Sequence, residues 1–303
     1  MRRFLFFSLA GFMLMIFIPC LIIYFGVDRD IIKVYVTDED VVREMNREQY
    51  LKEVVSAEMP AEFNTEALKA QAIAARTYLK SREKKSFDEH KGAVICTDYR
   101  HCKAWISEKD RKEQWEEDKR DGYWEKISRS VDETRDKYIM YNGEVIEALF
   151  HSTSSGNTEN AGDVWGKDVP YLVSVKSEGE EFSPKYKSQK NISEEEFKNK
   201  ISEKYENADW SEGLFCYIVR SGAGGIKSLK CGGVTVSGTD LRTLFELRST
   251  NIEITKDGEN IKFDVTGNGH GVGMSQYGAN YLASNGMSCE DILKHYYTGV
   301  EIA

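Results

Sequence analysis

The sequence has no excess of positive charge. In 303 residues, 41 Lys and Arg stand against 50 Asp and Glu, a net charge of −9. Nucleic-acid backbones reward clustered cations, so this balance argues against a nucleic-acid partner, and it gives no pull toward an anionic membrane surface. An uncharged glycan is not excluded. Nucleotide signatures are missing too: the glycine-dense run TGNGHGVGMSQYG has no Lys-Ser/Thr for a phosphate-cradling loop, and its spacing fails the dinucleotide pattern. Serines crowd the stretch HSTSSGNTE beside His151, but no nucleophile elbow surrounds them, and GMSQYG has one residue too many to be one. What the chain does not lack is apolar content. At 41% hydrophobic and 30% charged it can bury a real core, as one large or two modest domains.

The amino terminus is short of charge of either sign. No charged residue occurs from Phe4 to Val27, a run long enough to span a hydrocarbon core of about 30 Å as one helix, and Arg2 and Arg3 precede it. Residues 1–27 therefore read as a membrane anchor with a short cytoplasmic amino terminus. That makes a single-pass membrane protein with everything after Asp28 extracytoplasmic. A cleaved signal peptide competes, although the run is longer than a typical apolar segment of one and no small-x-small site stands out near Gly26. Residues 28–48 are polar; the alternating run Ile31 to Val36 reads as a first strand or as part of a juxtamembrane spacer.

From Tyr50 to Lys80, YLKEVVSAEMPAEFNTEALKAQAIAARTYLK is a helix pair with polar groups at core positions. Tyr50, Leu51, Val54 and Val55 recur at helical spacing, and Glu58 falls on the same stripe before Pro60 stops the helix. Desolvation among valines and the negative end of the helix dipole both disfavour an ionised carboxylate, so Glu58 reads as a general acid with a raised pKa. The second helix, about Thr65 to Arg82, opens on Asn64 or Thr65 as N-cap and is alanine-rich enough for another element to approach closely. Arg76 shares a face with Ala72, Ile73 and Leu79, and Gln71 one with Ala67, Leu68 and Ala75. Glu58 and Arg76 form either a buried structural ion pair or parts of a site.

AEMP followed by EALKAQAIAARTY resembles the signature of the stage II sporulation protein D family, which includes amidase-enhancer proteins. HSTSSGNTE leading into VWGKDVPYLVSV, GTDLRTLFELRS at residues 238–249, and the closing TGNGHGVGMSQYGANYLASNG with EDILKHYYTGVEI carry the resemblance from about residue 45 to the end. The expected fold is α+β: the N-terminal transmembrane helix, then a two-lobed helix-and-sheet extracytoplasmic domain with a central cleft where the two strongest signatures meet. Residues 49–303 form the sporulation D type region, with a charged, solvated insertion near 176–212.

Just after the helix pair come His90, Cys96, His101 and Cys102, two imidazoles and two thiols in the order His-x5-Cys-x4-His-Cys. They make a complete tetrahedral set for zinc, with no position left open, so the ion would brace the fold. A Cys96–Cys102 disulfide with two surface histidines is the alternative. The family pattern does not require these four residues. No organic cofactor is expected.

Trp105, Trp115, Tyr123 and Trp124 punctuate a charged stretch that reads as amphipathic helices with aromatics inside. Lys137 to Phe150, KYIMYNGEVIEALF, reads as a hairpin turned at Asn142-Gly143 that delivers His151. Cys216 and Cys231 flank a glycine-rich turn, as a disulfide or as two apolar fillers. Arg242 is assigned a structural role.

The resemblance implies lytic transglycosylase action on bacterial cell-wall glycan, cutting between N-acetylmuramic acid and N-acetylglucosamine and leaving an anhydro sugar. An ordinary glycosidase needs two carboxyl groups, but here the muramic acid's own 6-hydroxyl is the nucleophile and one suffices. Glu58 is the candidate catalytic residue. Arg76, Gln71, His151, Ser152, Tyr171, His270, Ser275 and Gln276 are the candidate substrate contacts. The implied partners are peptidoglycan glycan strands stripped of stem peptides and a cell-wall amidase of the sporulation engulfment machinery. A non-catalytic, glycan-binding activator of that amidase is the rival reading.

Overall fold

The computed structural model describes residues 30–303 apart from Lys84 and Ser86. The segment beyond Asp30 is folded structure: β1 (Ile31–Val36) alternates exposed and buried residues and pairs antiparallel with β2 (Val41–Asn46). Asn46 then caps α1 (Arg47–Glu58) by accepting the Gln49 N–H, so strand passes into helix without a linker. After the Pro60 turn, Asn64 caps α2 (Thr65–Arg82) through the Glu66 N–H. Thirteen of the eighteen residues of α2 are buried. Its alanines let neighbours pack on nearly every side, which is why a helix of such low side-chain volume sits at the centre.

Those neighbours come from distant parts of the chain. β3 (Ile95–Cys96) pairs parallel with β1, and α3 (Glu108–Gln114) and α4 (Arg120–Asp132) cover α1 and α2. β4 (Ile139–Tyr141) and β5 (Glu144–Val145) form the Asn142-Gly143 hairpin, both turn residues having positive φ as such a turn demands. β6 (Phe150–His151) follows, then α5 (Ala161–Trp165). From the far end of the chain, β13 (Met274–Ser275), α8 (Gln276–Ser284), α9 (Cys289–Tyr296) and β14 (Glu301–Ile302) return to this same core.

A second core is built from the stretch between. β7 (Lys187–Ser193) joins β11 (Ile252–Asp257) and β12 (Asn260–Thr266) in one antiparallel sheet, and β8 (Cys216–Arg220), β9 (Ile226–Cys231) and β10 (Val234–Ser237) form another. α6 (Glu194–Lys204) and α7 (Gly238–Leu244) close it around Phe197, Phe245 and Phe263. The mixture of helix and sheet is α+β, as the sequence leads one to expect.

Three expectations are corrected here. The stretch near 176–212 is no solvated insertion: β7 is an integral strand, and α6, capped by Ser193, buries Phe197 and Ile201. Its polar composition belongs to the outer faces of a strand and a helix that each bury one side. Residues 31–46 form a strand pair, so of the two readings of Ile31–Val36 the strand holds and the juxtamembrane spacer does not. The single-pass membrane placement, with its extracytoplasmic remainder, is also overturned, since among the described residues no helix is long and apolar enough to cross a membrane. Residues 1–27, on which the anchor was read, lie outside the described residues.

Candidate active site and metal cluster

Glu58 is the last residue of α1, where Pro60 forbids further helix. It does not lie sealed among valines as the helical stripe suggests. The carboxylate is half-buried and held by two donors: the Ala104 N–H at 3.0 Å to Oε1 and the Gln276 amide at 3.2 Å to Oε2. Gln276 is the first residue of α8, 218 residues downstream. The two strongest sequence signatures thus meet at one carboxyl group.

Register explains how the carboxyl-terminal run arrives there. β13 pairs parallel with β6, setting Met274 beside Phe150 and Ser275 beside His151. Gly273 makes the approach possible: its φ is +73°, and a Cβ there would lie 2.1 Å from the Leu149 carbonyl oxygen. His151 is buried, and its Nδ1 lies 3.2 Å from the Val272 carbonyl, which fixes that nitrogen as the donor. Its Nε2 is then a bare acceptor, buried and without a hydrogen-bond partner among the described residues. Burial pushes the His151 pKa down to about 4. His270 is likewise lowered by burial, and its Nδ1 accepts the Val272 N–H. Trp165, His270 and His151 form a row of rings with centroids 5.4 and 5.6 Å apart, and Trp165 is half exposed at its outer end.

Other candidates turn out to hold the structure. Arg76 is fully buried and pairs with Glu48 instead of Glu58: Nη2 to Oε2 is 2.7 Å, and the carbonyls of Val131 and Thr134 take further donors. That leaves it nothing to offer a substrate. Gln71 is fully buried within the first core, and its side-chain amide makes no hydrogen bond to any described residue. Ser275 is fully buried and caps α8 by accepting the Gly278 N–H. The Tyr171 hydroxyl accepts the Glu147 N–H at 3.2 Å and its ring packs on Tyr141. Ser152 is half-buried with its hydroxyl against that of Thr153. The rest of the hydroxyl-rich loop is tied inward: Ser154 donates to Glu180 and Thr153 to Ser183.

The sequence reading passed over Lys103, Ala104 and Trp165. Ala104 works through its backbone and has no side-chain signature. Lys103 is buried within an otherwise charged stretch, its ammonium 3.6 Å from the Phe150 ring centroid and 4.4 Å from that of Tyr78. Burial pushes its pKa down to about 8, against the opposing pull of the Glu58 charge.

His90, Cys96, His101 and Cys102 converge, with one donor atom from each lying within 4.8 Å of all the others. Cys96 and Cys102 are free thiols, which removes the disulfide alternative, and Cys216 and Cys231 are free as well. A tetrahedron with metal–nitrogen bonds of about 2.0 Å and metal–sulfur bonds of about 2.3 Å has edges of about 3.3 to 3.8 Å. Here His90 Nε2 to His101 Nδ1 is 3.0 Å, Cys96 Sγ to His101 Nδ1 is 3.5 Å, and Cys102 Sγ lies 3.5 and 3.7 Å from the two imidazoles. These four donors fit a metal ion. The pair of thiols is biased as well: hydrogen bonding between them pushes Cys102 down to about 5 and Cys96 up.

The fold is that of an α+β chain, and residues 35–141 match a family model described as "Stage II sporulation protein". The chain belongs to the stage II sporulation protein D family. It is 38% identical to "Stage II sporulation protein D" of Bacillus subtilis over 90% of this chain and 78% of that one. The protein of the same name from Bacillus amyloliquefaciens is 37% identical over 90% of this chain and 78% of its own length. A more distant relative, named "Amidase enhancer", also from Bacillus subtilis, is 26% identical over 83% of this chain and 40% of its own.

Proposed function

We propose that the chain is a peptidoglycan lytic transglycosylase that cuts glycan strands between N-acetylmuramic acid and N-acetylglucosamine, with Glu58 as its single acid and base. The reading rests on one observation: a half-buried carboxyl group bridged by Gln276, which draws both family signatures onto it. In the proposed cycle the acid form of Glu58 gives its proton to the leaving glycosidic oxygen as the C1–O bond breaks. The resulting carboxylate then takes the proton of the muramic acid 6-hydroxyl as that oxygen closes on C1, and the original state returns. Gln276 suits this cycle because an amide carries both a donor and an acceptor and can face either protonation state of its partner. The half-exposed Trp165 offers an apolar face for a sugar ring. Zinc at the four-donor cluster completes the reading, bracing the loop between α2 and Ala104 with no coordination position left for chemistry.

The relative named "Amidase enhancer" supports a second reading, a glycan-binding activator of a cell-wall amidase that breaks no glycosidic bond itself. Glu58→Gln separates the two. It keeps the hydrogen-bonding shape but has no proton to give, so release of soluble glycan fragments from purified peptidoglycan should fall by about 100-fold or more while binding to sedimented peptidoglycan is unchanged. Equal release by the two proteins would remove Glu58 from the chemistry. No release by the unaltered protein, with faster amidase turnover in its presence, would establish the activator.

A further inference from the structure

Glu180 is a buried acid that takes no part in the proton cycle. It is 1% exposed and forms no ion pair among the described residues, so hydrogen-bond donors hold it. Its Oε2 accepts the Ser154 N–H at 3.0 Å, and its Oε1 accepts the hydroxyls of Ser154 at 2.9 Å and Ser177 at 2.5 Å. The one proton of Ser177 is committed there, so the Tyr296 hydroxyl, 2.7 Å away, donates to Ser177 in turn. Burial pushes the Glu180 pKa up, and the hydroxyls of Ser177, Ser275 and Ser154 pull it back. Glu180 opens a 3-10 turn, Glu180–Phe182, that packs on α8, and its carboxylate reaches the first turn of that helix. A Cβ on Gly278 would stand 2.9 Å from Glu180 Oε1, 2.3 Å from Ser177 Oγ and 2.1 Å from the Tyr296 oxygen. The positive end of the helix dipole lies there and favours the ionised acid. Burying a carboxylate costs more in lost hydration than burying an apolar side chain of its size, so stability alone is a poor account of it.

What Glu180 fixes is the frame around Gln276. Ser154 stands two residues past Ser152, whose carbonyl accepts the Tyr277 N–H at 3.1 Å and the Ser275 hydroxyl at 3.4 Å. The residues on either side of Gln276 are thus tied to one carbonyl, and Glu180 anchors the segment that carries it. We propose that Glu180 is a positioning residue: by pinning Ser154 and Ser177 against the first turn of α8, it aims the Gln276 amide at the Glu58 carboxyl. The inference rests on the transglycosylase reading for its kinetic consequence and deepens that reading. Without the anchor, the Gln276 amide turns away and Glu58 loses the downstream donor that orients it.

The test follows the Gln276 side-chain amide by NMR in the full-length protein labelled with nitrogen-15, beside initial-rate kinetics on purified peptidoglycan. The pair of side-chain signals that disappears in Gln276→Ala belongs to Gln276. Glu180→Gln keeps the shape of the acid but loses its charge and places an amide N–H2 among donors, and it should move that pair toward the positions of solvated glutamines. Turnover should fall about 10- to 100-fold with KM unchanged. In the Gln276→Ala background, adding Glu180→Gln should lower turnover no further. Ser177→Ala removes one donor without touching the charge; it should act in the same direction by less, and serves as the test if Glu180→Gln does not fold. Gln276 signals that stay in place, or a loss of turnover that adds in full to that of Gln276→Ala, overturn the positioning role. Absence of turnover in the unaltered protein removes the transglycosylase reading instead, and the amide signals then decide the positioning role on their own.

Discussion

At the scale of single residues, most of the polar groups in this chain are committed to the fold, and burial tells them apart from the few that are not. Arg76 is the plainest case. The sequence placed it on an apolar face and left open whether it pairs with Glu58, but helical spacing says nothing about which carboxylate arrives from another element, and the partner is Glu48 at the start of α1. Glu48→Gln should therefore cost about 3–5 kcal/mol in denaturant unfolding, because a buried guanidinium loses its counter-charge. Glycan affinity of the folded fraction should be unchanged; a rise in KM at normal stability would return Arg76 to the substrate. His151 makes a prediction in pH. Its folded pKa of about 4 lies below the ordinary 6.5, so it adds stability that is present above pH 6.5 and lost as the pH falls toward 4. Relative to His151→Gln, the unaltered protein should lose up to about 3 kcal/mol more across that window. Parallel stability curves for the two would show that His151 is solvated.

At the scale of elements, periodicity and caps were legible in the sequence and long-range pairing was not. The Asn64 cap, the Asn142-Gly143 turn and the Ser193 cap are local rules, each satisfied within a few residues. The short parallel pairing of β6 with β13 obeys no local rule: it spans two residues on each strand and depends on a glycine at a left-handed φ. Strand β7 was misread because a strand exposed on one face shows mostly its polar side in composition. The donor cluster was legible from residue types alone, since four soft ligands within thirteen positions have few other uses. It supplies the prediction at this scale. On the proposal that the cluster holds zinc, chelation should lower the melting temperature by several degrees and release the loop carrying Lys103 and Ala104, with re-addition of zinc restoring both. Loss of turnover without any change in melting temperature would make the ion catalytic.

At the scale of the whole molecule, the described residues make two cores, and the segment from Val272 onward returns to the core built by the first part of the chain, so that Glu58 and Gln276 meet. The family resemblance marked the two segments that meet at Glu58 and Gln276, and it took the tertiary structure to show that Arg76 and Ser275 are committed to the fold. The account's central claim is that bond cleavage is intramolecular and consumes no water. Peptidoglycan stripped of its stem peptides and digested by the purified protein in heavy-oxygen water tests this directly through the mass of the released fragments. The account predicts anhydro-muramic ends carrying no heavy oxygen, and their disappearance with Glu58→Gln. Reducing ends labelled with heavy oxygen would show that water is the nucleophile and would contradict it.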